Sequence, residues 1–468
     1  MATATIPQVW VGRSGREYIP VPKSRLRHGG MASVRKVTGR GGPVGISTVA
    51  DGVPLALKLW QEGDETSLDQ LQQESRILVE LSSGGGELPC PRLFDLVGKP
   101  LVTGVVMEWC PVDLERWWRD KLTAEDAVGR LMFTMAEATR RVGEYHAFFA
   151  NKSSMDAAHG DLKPSNVVLS KQGRWLVSDF GTAHLAPKHD DVWAESRVIV
   201  ASDNFVAPEV LFNARRRFPA ATDVWSLGAS LYALLRLKRL VDDGAVLPRN
   251  GTHSPRFRME RMNRVVEIYG RDPTRFVERD LQPGDFPDPE HLPEEDQRVL
   301  RDSLRGCFGA EDSAKEDEFA SALIGLMDRA MSIDPESRFT DCAALTERFE
   351  GLGRLFIELS AIEARPPTAE TEVAEIVAAR EAEAKRARAL QTEVDSLAAQ
   401  LRAARIAPRP ELPAPPPPAV DIAQLKRELS VEPWRAPFWW GPALILIVVL
   451  QAGIGLLLVF QMVVSWTI

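Results

Sequence analysis

The sequence carries no excess of positive charge. Its 468 residues hold 57 lysines and arginines against 65 aspartates and glutamates, a net charge of −8. A nucleic-acid binder ordinarily shows a basic excess or stripe; neither is found, so no nucleic-acid partner is expected. Cysteine is scarce too. Cys90, Cys110, Cys307 and Cys342 form no close CxxC pair and no compact cluster with histidine, which argues against a zinc site and a disulfide framework. Reduced thiols and a cytosolic main domain are the expectation. The opening run Met1-Ala2-Thr3-Ala4-Thr5-Ile6-Pro7 has no basic segment followed by an apolar core, so no signal peptide is expected. No internal repeat is apparent.

What is present is ordinary globular composition, 44% hydrophobic and 26% charged, enough for one large two-lobed domain or two smaller ones. Strand-like runs at 55–60 and 101–109 come early, and helix-like runs at 124–149 and 223–237 come later. That order predicts an α+β fold with a small β-rich lobe followed by a larger α-rich one. Pro366-Pro367 marks a break. Residues 369–406 are rich in Ala, Glu and Arg, lack Gly and Pro, and read as a long exposed helix. Val373, Arg380, Ala387, Val394 and Leu401 recur every seven residues, although Arg380 and Glu383 interrupt the seam. Two readings stand: a short coiled coil forming a homodimer through 369–406, or a single solvated helix. A proline-rich spacer follows at 407–419. The expected divisions are an extension at 1–19, a main domain at 20–355, a helical segment at 366–406, the linker at 407–419, a juxtamembrane segment at 420–437 and a spanning helix at 438–466.

The spanning helix rests on residues 442–464, nearly all apolar and none charged, about the length that crosses a bilayer. Trp439 and Trp440 precede this run and Trp466 follows it, where interfacial aromatics belong. Lys426, Arg427 and Arg435 lie before it and no Lys or Arg lies after it, so the expectation is a single-pass membrane protein with its main domain in the cytoplasm.

The residues that carry chemistry lie in the main domain. His159-Gly160-Asp161-Leu162-Lys163-Pro164-Ser165-Asn166 is followed thirteen residues later by Asp179-Phe180-Gly181. In this order and spacing the two runs resemble the catalytic loop and metal-binding motif of the protein kinase family, in its Hanks-type serine/threonine branch. Upstream, Leu55-Ala56-Leu57-Lys58 resembles the V-A-I-K strand, and Glu74, in the helix-like run 68–81, is the expected partner of Lys58. Downstream, Val206-Ala207-Pro208-Glu209 matches A-P-E, Asp223-Val224-Trp225-Ser226-Leu227-Gly228 resembles D-x-W-S-x-G, and Arg338 fits the arginine that pairs with Glu209. The resemblance covers roughly residues 26–349.

The resemblance implies a two-lobed fold that binds ATP with Mg²⁺, or Mn²⁺ as an alternative ion, and phosphorylates Ser and Thr of protein substrates. A carboxylate is needed to orient the attacking hydroxyl and accept its proton, and Asp161 takes that place. Lys163 would neutralise the transferred phosphoryl group. Lys58, held by Glu74, would meet the α- and β-phosphates, and Asn166 and Asp179 would supply hard oxygen ligands to the metal. Gly29, Gly30, Val34 and Ala56 would line the nucleotide. Met107 would flank the adenine, with backbone hydrogen bonds from Glu108 and Cys110.

The sequence departs from the family pattern in three places. Aligned on Val34, the glycine-rich loop keeps Gly29 but has Arg27 and Ala32 in place of the first and third glycines. Its Gly-Gly-Met run looks like bacterial members of the family. Gly160 replaces the arginine that usually links the catalytic aspartate to a phosphorylated activation loop, so activity is expected not to need phosphorylation at Thr182, Ser196 or Ser202. The polar stretch 244–318 resembles nothing assignable. Two rival readings remain open: a membrane-bound pseudokinase scaffold, suggested by the altered glycine loop, and a small-molecule phosphotransferase of the aminoglycoside type, which often carries H-G-D.

Overall fold

The computed structural model describes residues 9–360, except 23, 25–26, 29–31, 43–45, 61–64, 84–85, 154, 188–203, 212–218, 249–250, 271–290 and 310–311. Beyond these it describes only residue 396 and the backbone of 443–451 and 456–464.

The first lobe is an antiparallel sheet. Its strands are β1 (Trp10–Val11), β2 (Glu17–Pro20), β3 (Arg27–His28), β4 (Ala32–Arg40), β5 (Pro54–Trp60), β6 (Leu93–Val97) and β7 (Gly104–Glu108), in the order β1-β2-β4-β5-β7-β6 with β3 paired to β4. Alternation decides the faces. Leu55 and Leu57 of β5 join Val37, Val106, Trp10 and Tyr18 in a cluster of their own, whereas Ala56 joins Val105 and Met107 in the larger core. Helix α1 (Glu65–Ser82) buries Leu71, Ile77, Leu78 and Leu81 in that larger core. The sheet begins at Trp10, ahead of the boundary expected at residue 20. Asp95 explains why. Its buried carboxylate accepts hydrogen bonds from Ser14 and, at 2.9 Å, from the Tyr18 hydroxyl. Burial and the Asp95 charge push the Tyr18 pKa above its ordinary range, so the phenol stays a donor. Gly12 is required beside them, because a Cβ there would lie 2.0 Å from Asp95 Oδ2.

The second lobe is helical. Its principal helices are α2 (Leu114–Lys121), α3 (Ala127–Ser153), α4 (Pro208–Leu211), α5 (Pro219–Asp242), α6 (Glu260–Gly270), α7 (Glu294–Ser303), α8 (Ser313–Ala330) and α9 (Cys342–Ser360). Short strands β8 (Val112–Asp113), β10 (Val167–Leu169) and β11 (Trp175–Val177) form one small sheet, and β9 (Met155–Ala158) pairs with β12 (His184–Pro187). Helix α5 is apolar nearly all round, with Val224, Trp225, Leu231, Leu234 and Leu237 buried, which marks it as the centre of the lobe. Part of the unassigned stretch 244–318 folds onto this lobe. Asp296 of α7 accepts from the Tyr232 hydroxyl and from the backbone N–H groups of Glu260 and Arg261, fixing the start of α6 against α5. The two-lobed α+β arrangement read from the sequence is thus present.

Arg338 ties the lobe together. Its guanidinium reaches Glu209 bidentately at 2.8 and 2.9 Å, both side chains fully buried. It also donates to the carbonyls of Ala221 and Ser332 and lies over the Trp225 ring. Removing one partner of such a pair leaves a buried charge alone and typically costs about 3–5 kcal/mol. Arg338→Ala is therefore expected to lower unfolding stability by about that amount in a denaturant titration. A loss below about 1 kcal/mol, the size of an exposed ion pair, would contradict the reading.

Residues 389–468 form a separate unit. Here β13 (Ala443–Gln451) pairs antiparallel with β14 (Leu456–Val464), Ala443 opposite Val464 and Gln451 opposite Leu456. The spanning helix at 438–466, and with it the single-pass membrane placement, is corrected: among the described residues no helix is long and apolar enough to cross a membrane. The run is rich in Val and Ile and is interrupted by Gly453 and Gly455, so it suits two strands as well as one helix, and apolar periodicity alone cannot separate these. Of the expected coiled-coil and dimerisation segment 369–406 only residue 396 is described, and 407–437 lie outside the described residues.

Candidate active site

Lys58 projects from β5 on the same face as Ala56, facing the larger core. Cross-strand pairing sets Val34 of β4 opposite Lys58, and Met107 of β7 opposite Ala56. These four side chains therefore share one surface of the sheet. Glu108 ends β7; its backbone N–H is donated to Arg92 O at 2.9 Å. Cys110 follows just beyond the strand, half-buried. Gly29 and Gly30 lie outside the described residues, although β3 and β4 on either side of them are paired.

The Lys58 ammonium donates to Glu74 Oε2 at 2.6 Å and to Asp179 Oδ1 at 2.8 Å. Burial works to lower the lysine's pKa, but the two carboxylates outweigh it and hold the ammonium above its ordinary range. Burial raises Glu74, against the pull of Lys58. For Asp179 burial acts upward as well, yet the Lys58 charge prevails and brings it down to about 2. Lys58 and Asp179 are thus both charged at neutral pH. Glu74 also accepts the backbone N–H of Phe180. On the facing surface Gly181 leaves little room against α1, since a Cβ there would lie 3.1 Å from Gln70 Cβ.

Asp179 adopts a left-handed backbone, φ 71° and ψ 66°, the one positive-φ residue other than glycine among the described residues. Such a conformation costs about 1–3 kcal/mol and persists only where surroundings fix it. Phe180, fully buried, supplies part of that fixing. Its ring centroid lies 4.9 Å from His159 and 5.1 Å from Tyr145.

The loop carrying Asp161 hangs from Asp223, at the start of α5. The Asp223 carboxylate accepts from the backbone N–H of His159 at 2.7 Å and of Gly160 at 3.1 Å, and its Oδ2 meets His146 Nε2 at 2.8 Å. Burial lowers the His159 pKa, so its ring is neutral. Its Nε2–H then donates to Ser178 O at 3.0 Å, and Nδ1 accepts the Asp161 N–H at 3.4 Å. Gly160 takes φ +78°, and a Cβ there would lie 2.9 Å from Thr182 O. The Thr182 hydroxyl itself donates to His159 O at 3.3 Å. Asp161 Oδ2 accepts Lys163 Nζ at 2.6 Å, while Asn166 Nδ2 donates to Asp161 O at 2.8 Å and to Oδ2 at 3.3 Å.

The structure therefore gathers Lys58, Glu74 and Asp179 into one ion network, and Asp161, Lys163 and Asn166 into another. His146 and Tyr145, which support both, carry no sequence signal of their own. No group of three or more His, Cys, Asp and Glu side chains placed to hold a metal occurs among the described residues. The donors at hand are the Asp179 carboxylate and the Asn166 amide oxygen. That set fits Mg²⁺, which binds through one or two carboxylates and takes its other oxygens from water and phosphate, and does not fit zinc.

Residues 38–349 match the protein kinase domain family, and the chain belongs to that family. Among individual proteins, it is 32% identical to the serine/threonine-protein kinase KIN28 of Saccharomyces cerevisiae over 137 residues, 29% of this chain and 40% of that one. It is 28% identical to the yeast serine/threonine-protein kinase TOS3 over 154 residues, 31% of this chain and 27% of that one. To mouse mitogen-activated protein kinase 12 it is 24% identical over 246 residues, 52% of this chain and 56% of the relative. The chain thus spans less than two thirds of each of these relatives. All are eukaryotic, so the expected bacterial affiliation gains no support from them.

If Asp223 suspends the catalytic loop, Asp223→Ala should speed hydrogen exchange at the His159 and Gly160 amides while leaving the α9 amides protected. Unchanged exchange at the two amides would remove Asp223 from that role.

Proposed function

We propose that this chain is an ATP-dependent serine/threonine protein kinase that modifies protein substrates. One observation carries the reading: Lys58 bridges Glu74 and Asp179, so that α1, β5 and the Asp179 segment are joined as phosphoryl transfer requires. Lys58 presents its ammonium to phosphate oxygens at the face lined by Val34, Ala56 and Met107. Asp161, oriented by Lys163 and Asn166, accepts the proton of the incoming Ser or Thr hydroxyl as that oxygen bonds to the γ-phosphorus and ADP departs. Lys163 stays close enough to offset charge on the transferred group. Mg²⁺, held when bound by Asp179 and Asn166, supplies positive charge to the phosphates.

The left-handed backbone of Gly160 accounts for a glycine at that position without a small-molecule substrate, which weakens the phosphotransferase reading. The paired state of all three Lys58 network members weakens the scaffold reading. The Thr182 hydroxyl is engaged within the loop, which supports activity independent of its phosphorylation.

The test is transfer of labelled γ-phosphate by the full chain to a generic basic protein and, separately, to an aminoglycoside. Label on Ser and Thr is expected, falling about 10²–10⁴-fold in Asp161→Asn, the range for loss of a positioned base. Transfer to the aminoglycoside alone, or transfer that survives in Asp161→Asn, would overturn the proposal. Alanine at Thr182, Ser196 and Ser202 together is expected to keep most of the transfer rate. Loss of most activity in that folded variant would show that loop phosphorylation is needed.

A further inference from the structure

Part of the unassigned stretch 244–318 reaches the catalytic loop. A short helical turn, Gly251–His253, is held from two sides. From α2, the buried Glu115 carboxylate accepts hydrogen bonds from the Thr252 hydroxyl at 2.7 Å and from the Thr252 N–H at 3.4 Å. Gly251 permits this approach, since it takes φ +56° and a Cβ there would lie 2.0 Å from Glu115 Oε1. From the segment before α4, the buried Asn204 amide donates to the carbonyls of Thr252 at 2.9 Å and Ser254 at 2.8 Å. The backbone on both sides of His253 is thereby fixed, while its side chain stays exposed. The ring stands edge-on to Phe205, with centroids 5.8 Å apart, and its Nε2 lies 3.4 Å from Ser165 Oγ.

This places His253 beside the path of a peptide. Lys163 and Ser165 alternate with the buried Leu162, Pro164 and Asn166, so both face outward from the loop that carries Asp161. A peptide whose hydroxyl meets Asp161 lays its neighbouring residues, about 3.3 Å apart when extended, across these two side chains and so beside His253. The two carboxylates that act on the imidazole are already engaged. Glu115 is taken by Thr252 and, at 2.8 Å, by Arg119, and Asp161 by Lys163 and Asn166. Neither is left to pair with a basic residue of the peptide. Burial and the Lys163 charge hold the His253 pKa below its ordinary value, so the ring is neutral at neutral pH. Whichever partner supplies the hydrogen between Nε2 and Oγ, the Ser165–His253 pair then keeps one N–H or O–H to donate outward. Lys163 and the exposed Arg256 add positive charge along the same edge.

We propose that His253, together with Ser165, determines specificity by selecting protein substrates with an acidic side chain within a few residues of the acceptor Ser or Thr. The carboxylate accepts the outward hydrogen of the pair in the field of Lys163. A lysine or arginine at that place meets Lys163 with no free counter-charge. The inference rests on the kinase reading, since it names the substrate class of the same site.

The test uses peptides with a single serine, in which Asp or Lys is placed in turn at each neighbouring position. Phosphate transfer by the full chain is expected to favour Asp over Lys at one or more of these positions, with the difference in KM rather than kcat. His253→Ala should lower that preference about three- to tenfold, the worth of one hydrogen bond. His253→Gln, which keeps an N–H donor, should retain most of it, and His253→Glu should turn it toward Lys. Direct binding of the same peptides with Ala in place of the serine, read by fluorescence anisotropy, should give the same order. The proposal is overturned if Asp and Lys peptides are used and bound equally, or if Lys is preferred. It is equally overturned if His253→Ala and His253→Glu leave the preference unchanged. A chain that transfers phosphate to no peptide refutes the kinase reading alone, and the order of binding still decides this one.

Discussion

A single ammonium shared by two carboxylates organises the molecule. Lys58 comes from a strand, Glu74 from a helix and Asp179 from the segment after β11. None of these three groups is at ease where it sits without the other two. Glu74 is buried, Asp179 has a strained backbone, and a half-buried lysine with no counter-charge would be driven to lose its proton. Together they bring α1 against the Phe180 turn and so join the two lobes across the surface where a nucleotide would lie. The network is thus a structural clamp, and in the proposed function it is also the charge that receives phosphate.

A second carboxylate does comparable work on the other side. Asp223 is fully buried and spends its oxygens on the His159 and Gly160 amides and on His146. The catalytic loop is consequently positioned by α5, the most buried helix of the large lobe, which Arg338 and Glu209 also brace. Asp161 inherits its placement from this chain of contacts, so the chemistry rests on backbone suspended from the core, with Lys163 and Asn166 making the final adjustment at the carboxylate. His146 also contacts Cys342, the first residue of α9, on its other ring nitrogen.

Much of this was legible in the sequence, for a physical reason. Phosphoryl transfer fixes residue type and spacing together, so Lys58, Asp161, Asn166 and Asp179 stand out even beside an altered glycine loop. Arg338 and Glu209 were legible for the same reason, 129 residues apart but each within a recognisable run. What escaped lacks a local signature. Trp10 and Tyr18 belong to strands of two and four residues, too short for alternation to register, and their anchor Asp95 lies 77 residues beyond Tyr18. His146 looks like any polar residue of an amphipathic helix until Asp223 and Cys342 are brought to it. The apolar run at 442–464 was misread because a continuous hydrophobic stretch gives length but no period, and two nine-residue strands satisfy it as readily as one helix.

The most direct test of the central claim is a double-mutant cycle on phosphate transfer with Lys58→Met, Glu74→Gln and the pair, all in the full chain. If Lys58 and Glu74 act as one unit, the pair should be scarcely slower than Lys58→Met alone, because the first substitution already removes what the second would disturb. Losses that simply add would mean that the two residues act independently, and would contradict the account of a shared ammonium as the organising contact.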